Sequence, residues 1–151
     1  MNKPGGFLRT LDLRHLWVPV YIMVGISILS DSAGVEVGSW SFAGLDKIAH
    51  FFIFGLLGVA WVRCFPAEAL SGRRRFILAV ALTALFGLGD EMHQAYNPLR
   101  MFEWADAIAD VSGALVFVSA YLRLNFFRRL LEMTLSEGVC LISLNKRANS
   151  P

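Results

Sequence analysis

The chain is predicted to be an all-α integral membrane protein, a four-transmembrane-helix bundle with both termini cytoplasmic. Three observations predict this. Of its 151 residues 56% are hydrophobic, above the ~45–50% apolar usage of soluble domains, and the mean hydropathy is +0.54. The apolar residues come in blocks of roughly the ~17–25 residues a membrane helix needs, rather than at amphipathic spacing. The basic residues gather on alternate connections between those blocks, the pattern that orients membrane proteins.

Residues 1–15 form a leader carrying Lys3, Arg9 and Arg14. The first apolar run, Leu16–Ser30, contains Pro19 and Gly25 and is short for a span; extension back toward Leu11 lengthens it. A basic start, a short apolar run and the small residues Ser30, Ser32 and Ala33 also describe a signal peptide, and both readings stand. Residues 31–44 are Gly- and Ser-rich and read as a loop near a membrane surface, with Trp40 and Phe42 as interface anchors. The second span runs from Leu45 to Phe65 and is closed by Pro66, which cannot continue the helical hydrogen-bond ladder. Residues 66–75 read as a short basic loop. The third span runs from Phe76 to about Ala95 and stops at Asn97-Pro98, a turn signal. The fourth runs from Trp104 to Leu124, leaving 125–151 as a tail. The expected organisation is thus a cytoplasmic leader (1–15), a four-helix membrane domain (16–124) and a cytoplasmic tail (125–151).

Three Lys/Arg fall in the leader, four between Arg63 and Arg75 and five from Arg123 onward, which places twelve of the fourteen on one side; Lys47 and Arg100 remain on the other. The expected topology is therefore termini inside and two loops outside the cell (inner) membrane. Eight of the twelve acids fall at the outward side. Arg73-Arg74-Arg75 reads as a topology determinant, and no nucleic-acid partner is expected; the expected partner is the lipid bilayer. Cys64 and Cys140 both fall on the inner side, and without a CxxC spacing they read as structural thiols. Trp17, Trp40, Trp61 and Trp104 read as interfacial belt residues.

The exception to this apolar pattern is Asp90–Asp110, DEMHQAYNPLRMFEWADAIAD, between two apolar runs. A charge at the bilayer centre costs roughly 2.5–3.5 kcal/mol, so ionisable residues within spans mark candidate sites. Asp46 and His50 are four apart on one helix face and within hydrogen-bonding reach; Lys47 points away and is read as snorkelling to the headgroups. Glu91 and Gln94 share a face continued by Gly87 and Ala84, and Asp106 and Asp110 share one continued by Gly113 and Ala114. Small residues on those faces suggest close helix packing. His50, Glu91 and Asp110 fall at similar depth, so Asp46, His50, Glu91, Gln94, Arg100, Asp106 and Asp110 are the candidate ligand-binding pocket. Carboxylates so placed repel one another. They need Arg100, a protonated His50, a bound cation or a retained proton, with Arg100 the best internal candidate.

DKIAHFFIFGLLG followed by DEMHQAYNPLRMFEWADAIADVSGALV resembles the VanZ-like family of small membrane proteins over about residues 45–120. The positions that carry the likeness are Asp46, Lys47, His50, Phe51, Glu91, Gln94, Pro98, Arg100, Asp106 and Gly113. Asp110 stands where the family usually has Asn, adding a second acid beside Asp106. The resemblance implies a membrane protein of the type linked to resistance to the glycopeptide teicoplanin.

Three classes of function follow. The first is binding of an anionic lipid-linked molecule, such as a polyprenyl-phosphate cell-wall intermediate or another anionic envelope lipid, with Arg100 on the phosphate. The second is a membrane enzyme using the Asp/Glu/His/Arg cluster for acid–base or metal-assisted phosphoryl or glycosyl chemistry. The third is an assembly partner whose polar cluster only locks helices together. No nucleophile elbow, HExxH or P-loop is present. No metal ligands are expected from the sequence, and catalytic residues and a cofactor are not assigned.

Overall fold

A computed structural model describes residues 11–32, 44–96 and 103–132. Its helices are α1 (Trp17–Ser32), α2 (Leu45–Cys64), α3 (Gly72–Gln94) and α4 (Trp104–Arg123), preceded by a short 3-10 turn at Leu13–His15. Four segments are long and apolar enough to cross a membrane: Leu13–Ser30, Leu45–Cys64, Gly72–Gln94 and Trp104–Arg123. The fold is therefore the expected all-helical one. The chain divides into two compact units, residues 1–119 and 120–151.

The local chemistry explains where each helix starts and stops. Asp12 caps the 3-10 turn by accepting from the Arg14 amide, a bond that holds its carboxyl below the usual range. The Asp12 amide donates to the Cys64 carbonyl at 2.8 Å, tying the start of α1 to the end of α2. Pro19 sits near the start of α1, where its missing N–H removes no helical bond. Gly44 precedes α2 with φ of 107°, a left-handed conformation that favours glycine. After Pro66 the chain turns at 66–70, and Ser71 caps α3 through the Arg74 amide. This corrects one boundary: Arg73–Arg75 lie in the first turn of α3 rather than in a loop. The Ser71 cap and the helix-forming arginines extend the helix despite their unfavourable charge at its N-terminus.

The apolar pattern is that of a protein solvated by lipid. Tyr21, Leu29, Ile77, Leu85, Ile108 and Val116 point outward. Inside, Ile26, Phe54 and Leu57 form a cluster against which Trp61 and Phe86 pack. Trp61 is thus a core-packing residue and not the belt residue expected from its position, whereas Trp17 and Trp104 are exposed. Cys64 is buried, with its Sγ bonded to the Ala60 carbonyl; Cys140 and Trp40 lie outside the described residues.

Close approach of α2 and α4 depends on glycine. A Cβ at Gly113 would run into the Phe51 carbonyl, one at Gly58 would lie 2.9 Å from Val118 Cγ2, and one at Gly55 2.7 Å from the Phe117 ring. On α3, a Cβ at Gly87 would lie 2.6 Å from Asp110 Oδ2. The chain alternates direction, so α2 and α4 begin where α1 and α3 end. Their polar residues consequently gather at one end.

In the second unit a helical run covers 125–132, and the Tyr121 hydroxyl donates to Glu132 at 3.0 Å.

Candidate functional site

Three helix ends supply the side chains. Asp46, Lys47 and His50 come from the first turns of α2, Asp90, Glu91 and Gln94 from the last turns of α3, and Asp106 and Asp110 from the start of α4. Asp90, Glu91, Gln94, Asp106 and Asp110 are all buried, Glu91 and Asp110 to within 1%. Their helical spacing turns the acids inward, and the small residues beside them let the helices approach closely enough to bury them.

Two linked groups result. In one, His50 Nδ1 lies 2.9 Å from Asp110 Oδ1, and the imidazole stacks on Phe54 with ring centroids 5.7 Å apart. In the other, Lys47 Nζ sits 2.7 Å from Asp46 Oδ2, 2.8 Å from Glu103 Oε2 and 2.9 Å from Asp106 Oδ1. Glu91 joins α3 to α4: its Oε2 accepts the Glu103 amide at 3.1 Å, which satisfies a donor at the start of α4. Glu91 Oε1 and Asp110 Oδ2 are buried and have no hydrogen-bond partner among the described residues.

Two expectations are corrected here. His50 pairs across the bundle with Asp110 instead of along its own helix with Asp46, because burial leaves Asp110 in need of a donor. Lys47 does not point away from Asp46; its long stem carries the ammonium to Asp46 on its own helix, to Asp106 on α4 and to Glu103 just before α4. Gln94 bonds Asp90 Oδ2 at 2.8 Å, one turn back. Arg100 lies outside the described residues.

Asp90, Lys47 and Glu103 were not among the sequence candidates. The four-residue spacing of Asp90 and Gln94 was a readable signal. Nothing in the sequence announced that Glu103 would meet Lys47, 56 positions away.

Beside this centre, a cavity of about 230 Å³ opens among α1, α2 and α3. Ile26, Leu29 and Ile53 form an apolar side; Asp46, His50 and Gln94 line the polar end. Among the described residues the end of the bundle holds six carboxylates, Asp46, Asp90, Glu91, Glu103, Asp106 and Asp110. Among the described residues Lys47 and His50 stand against them.

Membrane-length helices with buried acids and a histidine at one end define a polytopic membrane protein with a buried polar centre. More specifically, the chain belongs to the VanZ/LLP1 family, which matches residues 6–128, a wider stretch than the motifs alone cover. It is also similar to Uncharacterized protein C11E3.10 of Schizosaccharomyces pombe, 33% identical over 88 residues, 58% of this chain and 51% of that protein. The chain therefore spans about half the length of this curated relative. No solved structure matches the chain.

Proposed function

We propose that this membrane protein binds an amphiphilic envelope lipid or lipid-linked cell-wall precursor with a phosphate-bearing head. The head sits at the polar end of the bundle and the tail lies along α1 and α2. The observation that carries this reading is the two-sided cavity, apolar toward Ile26 and Leu29 and polar toward Asp46, His50 and Gln94. The carboxylates around it disfavour a bare anion. A head that joins a phosphate to a sugar or amine suits them better, since hydroxyls and ammonium groups donate to carboxylates. Arg100 supplies the positive charge for the phosphate, through its planar two-pronged donor set. The charge distribution along the chain supports an outward-facing polar end in the cell membrane. Altered susceptibility to teicoplanin would follow from binding such a precursor.

The test is to purify the protein in mild detergent and identify co-purifying lipids by mass spectrometry, beside an unrelated protein from the same membrane. Enrichment of one phosphate-bearing lipid class is expected; a profile equal to the bulk membrane sinks the reading. The His50–Asp110 pair favours a second reading, acid–base or metal-assisted chemistry on the phosphoryl or glycosyl group of that head. Conversion of the enriched lipid by purified protein would establish it.

A further inference from the structure

We propose that His50, Glu91 and Asp106 bind a divalent transition-metal ion, with Asp110 orienting the histidine. One ring nitrogen of His50 and one carboxylate oxygen from each acid lie within 4.8 Å of one another. Ligands around such an ion stand at ~2.0–2.2 Å, so no two are further apart than twice that, and small side-chain rotations close the triad on a metal. The donors come from three different helices. Glu91 is 1% exposed and Asp106 7%.

The observation that points to a ligand is Glu91. Its Oε2 takes the Glu103 amide, while Oε1, on a side chain almost wholly removed from solvent, has no hydrogen-bond partner among the described residues. The neighbouring triad of Asp46, Glu103 and Asp106 meets the same spacing, and there the Lys47 ammonium already contacts all three. Lys47 also approaches Asp106 Oδ1 at 2.9 Å, but that buried oxygen has no hydrogen-bond partner among the described residues. Among the described residues no Lys or Arg is paired with Glu91.

The donor set selects the ion. An imidazole with two carboxylates suits Zn²⁺, Mn²⁺ or Co²⁺ better than Ca²⁺ or Mg²⁺, which prefer oxygen alone. A carboxylate on the far nitrogen of a metal-binding histidine fixes the ring and raises its basicity. Asp110, 2.9 Å from Nδ1, would be that group, with Nε2 as the nitrogen on the metal. With three protein ligands, a coordination position stays open for water or for an oxygen of a bound molecule. The site rests on protein atoms alone and stands independently of any lipid.

Tag-free protein in detergent, stripped with chelator and titrated with Co²⁺ and Mn²⁺, tests the proposal. One equivalent is expected, with visible Co²⁺ bands and nitrogen coupling to one imidazole in the Mn²⁺ resonance spectrum. Glu91→Gln and His50→Ala should weaken binding at least tenfold, and Asp110→Asn about tenfold to a hundredfold while keeping the stoichiometry. Should the site variants fail to fold, the double variant His15→Ala/His93→Ala decides, because the chain has three histidines. Retained imidazole coupling in that variant supports the site, and its loss overturns it. Wild-type protein that takes up no ion, or folded Glu91→Gln that binds as tightly as wild type, also overturns it.

Discussion

His50 and Asp110, sixty positions apart, are joined at 2.9 Å between Nδ1 and Oδ1, and this contact fastens α2 to α4 inside the bundle. The Asp110 side chain is 1% exposed and that of His50 21%, so water cannot replace the bond on the aspartate side. Asparagine offers the same acceptor oxygen without the charge. Asp110→Asn, which also restores the residue usual in the family pattern, should therefore keep the fold within about 1 kcal/mol. Asp110→Ala leaves the imidazole unpaired and opens a void, for a loss of about 1–3 kcal/mol. Thermal unfolding in detergent measures both. Equal losses would mean the hydrogen bond contributes nothing.

Lys47 is the described cation that holds Asp46, Glu103 and Asp106 together. Lys47→Gln should destabilise by roughly 1–3 kcal/mol, less than a fully buried pair, because Lys47 and Glu103 are partly exposed. Adding Glu103→Gln should recover part of that loss by relieving repulsion with Asp106. The readout is a double-mutant cycle of unfolding midpoints, and strict additivity would rule out the coupling.

Two glycines separate packing from helix propensity. A Cβ at Gly113 meets the Phe51 backbone, which cannot yield, whereas one at Gly89 meets nothing within 4 Å. Gly113→Ala should cost about 1–3 kcal/mol through overpacking. Gly89→Ala should be neutral or stabilise by up to ~1 kcal/mol, the helix preference for alanine. Similar unfolding temperatures for the two variants would contradict the close approach of α2 and α4.

The helices were legible in the sequence because the apolar blocks, Pro66 and the polar stretch after α3 state their limits locally. The small faces at Gly87, Gly113 and Ala114 were legible too, since three- and four-residue spacing places them beside the acids. The partners of the charges were not. Lys47 meets Glu103, and His50 meets Asp110, only once α2 and α4 are side by side, and helical periodicity carries no information about that rotation. Asp46–His50 looked like a pair because local spacing was the sole guide; the buried acid on the neighbouring helix had the stronger claim. Trp61 likewise read as interfacial by its place near a helix end, yet it faces the Ile26–Phe54–Leu57 cluster.

Topology is tested independently of the site. Twelve of the fourteen basic residues fall on one side of the proposed spans, so reporter fusions at Gly38, Leu70, Arg100 and Pro151 should read outside, inside, outside and inside. Protein whose mature N-terminus lies near Ser32 would instead establish removal of the first apolar segment.

Arg100 distinguishes a working site from a polar knot. If its charge only offsets the acids, Arg100→Lys restores that charge and should preserve both stability and lipid retention. If it grips a phosphate, lysine keeps the charge but loses the paired donors of the guanidinium, so retention of the enriched lipid should fall about tenfold or more while the unfolding temperature is unchanged. Asp106 supplies the contrast. Its carboxylate meets Lys47 at 2.9 Å and is 7% exposed, so Asp106→Asn removes the most buried partner of that ammonium and should lower stability by about 1–3 kcal/mol. Measuring lipid retention and unfolding temperature on the same preparations separates the two roles. Stable Arg100→Lys protein that has lost its lipid favours the binding site. Parallel losses of stability and lipid in Arg100→Lys, Asp106→Asn and Glu91→Gln would assign the whole cluster to holding the helices together, and the expected result is the first.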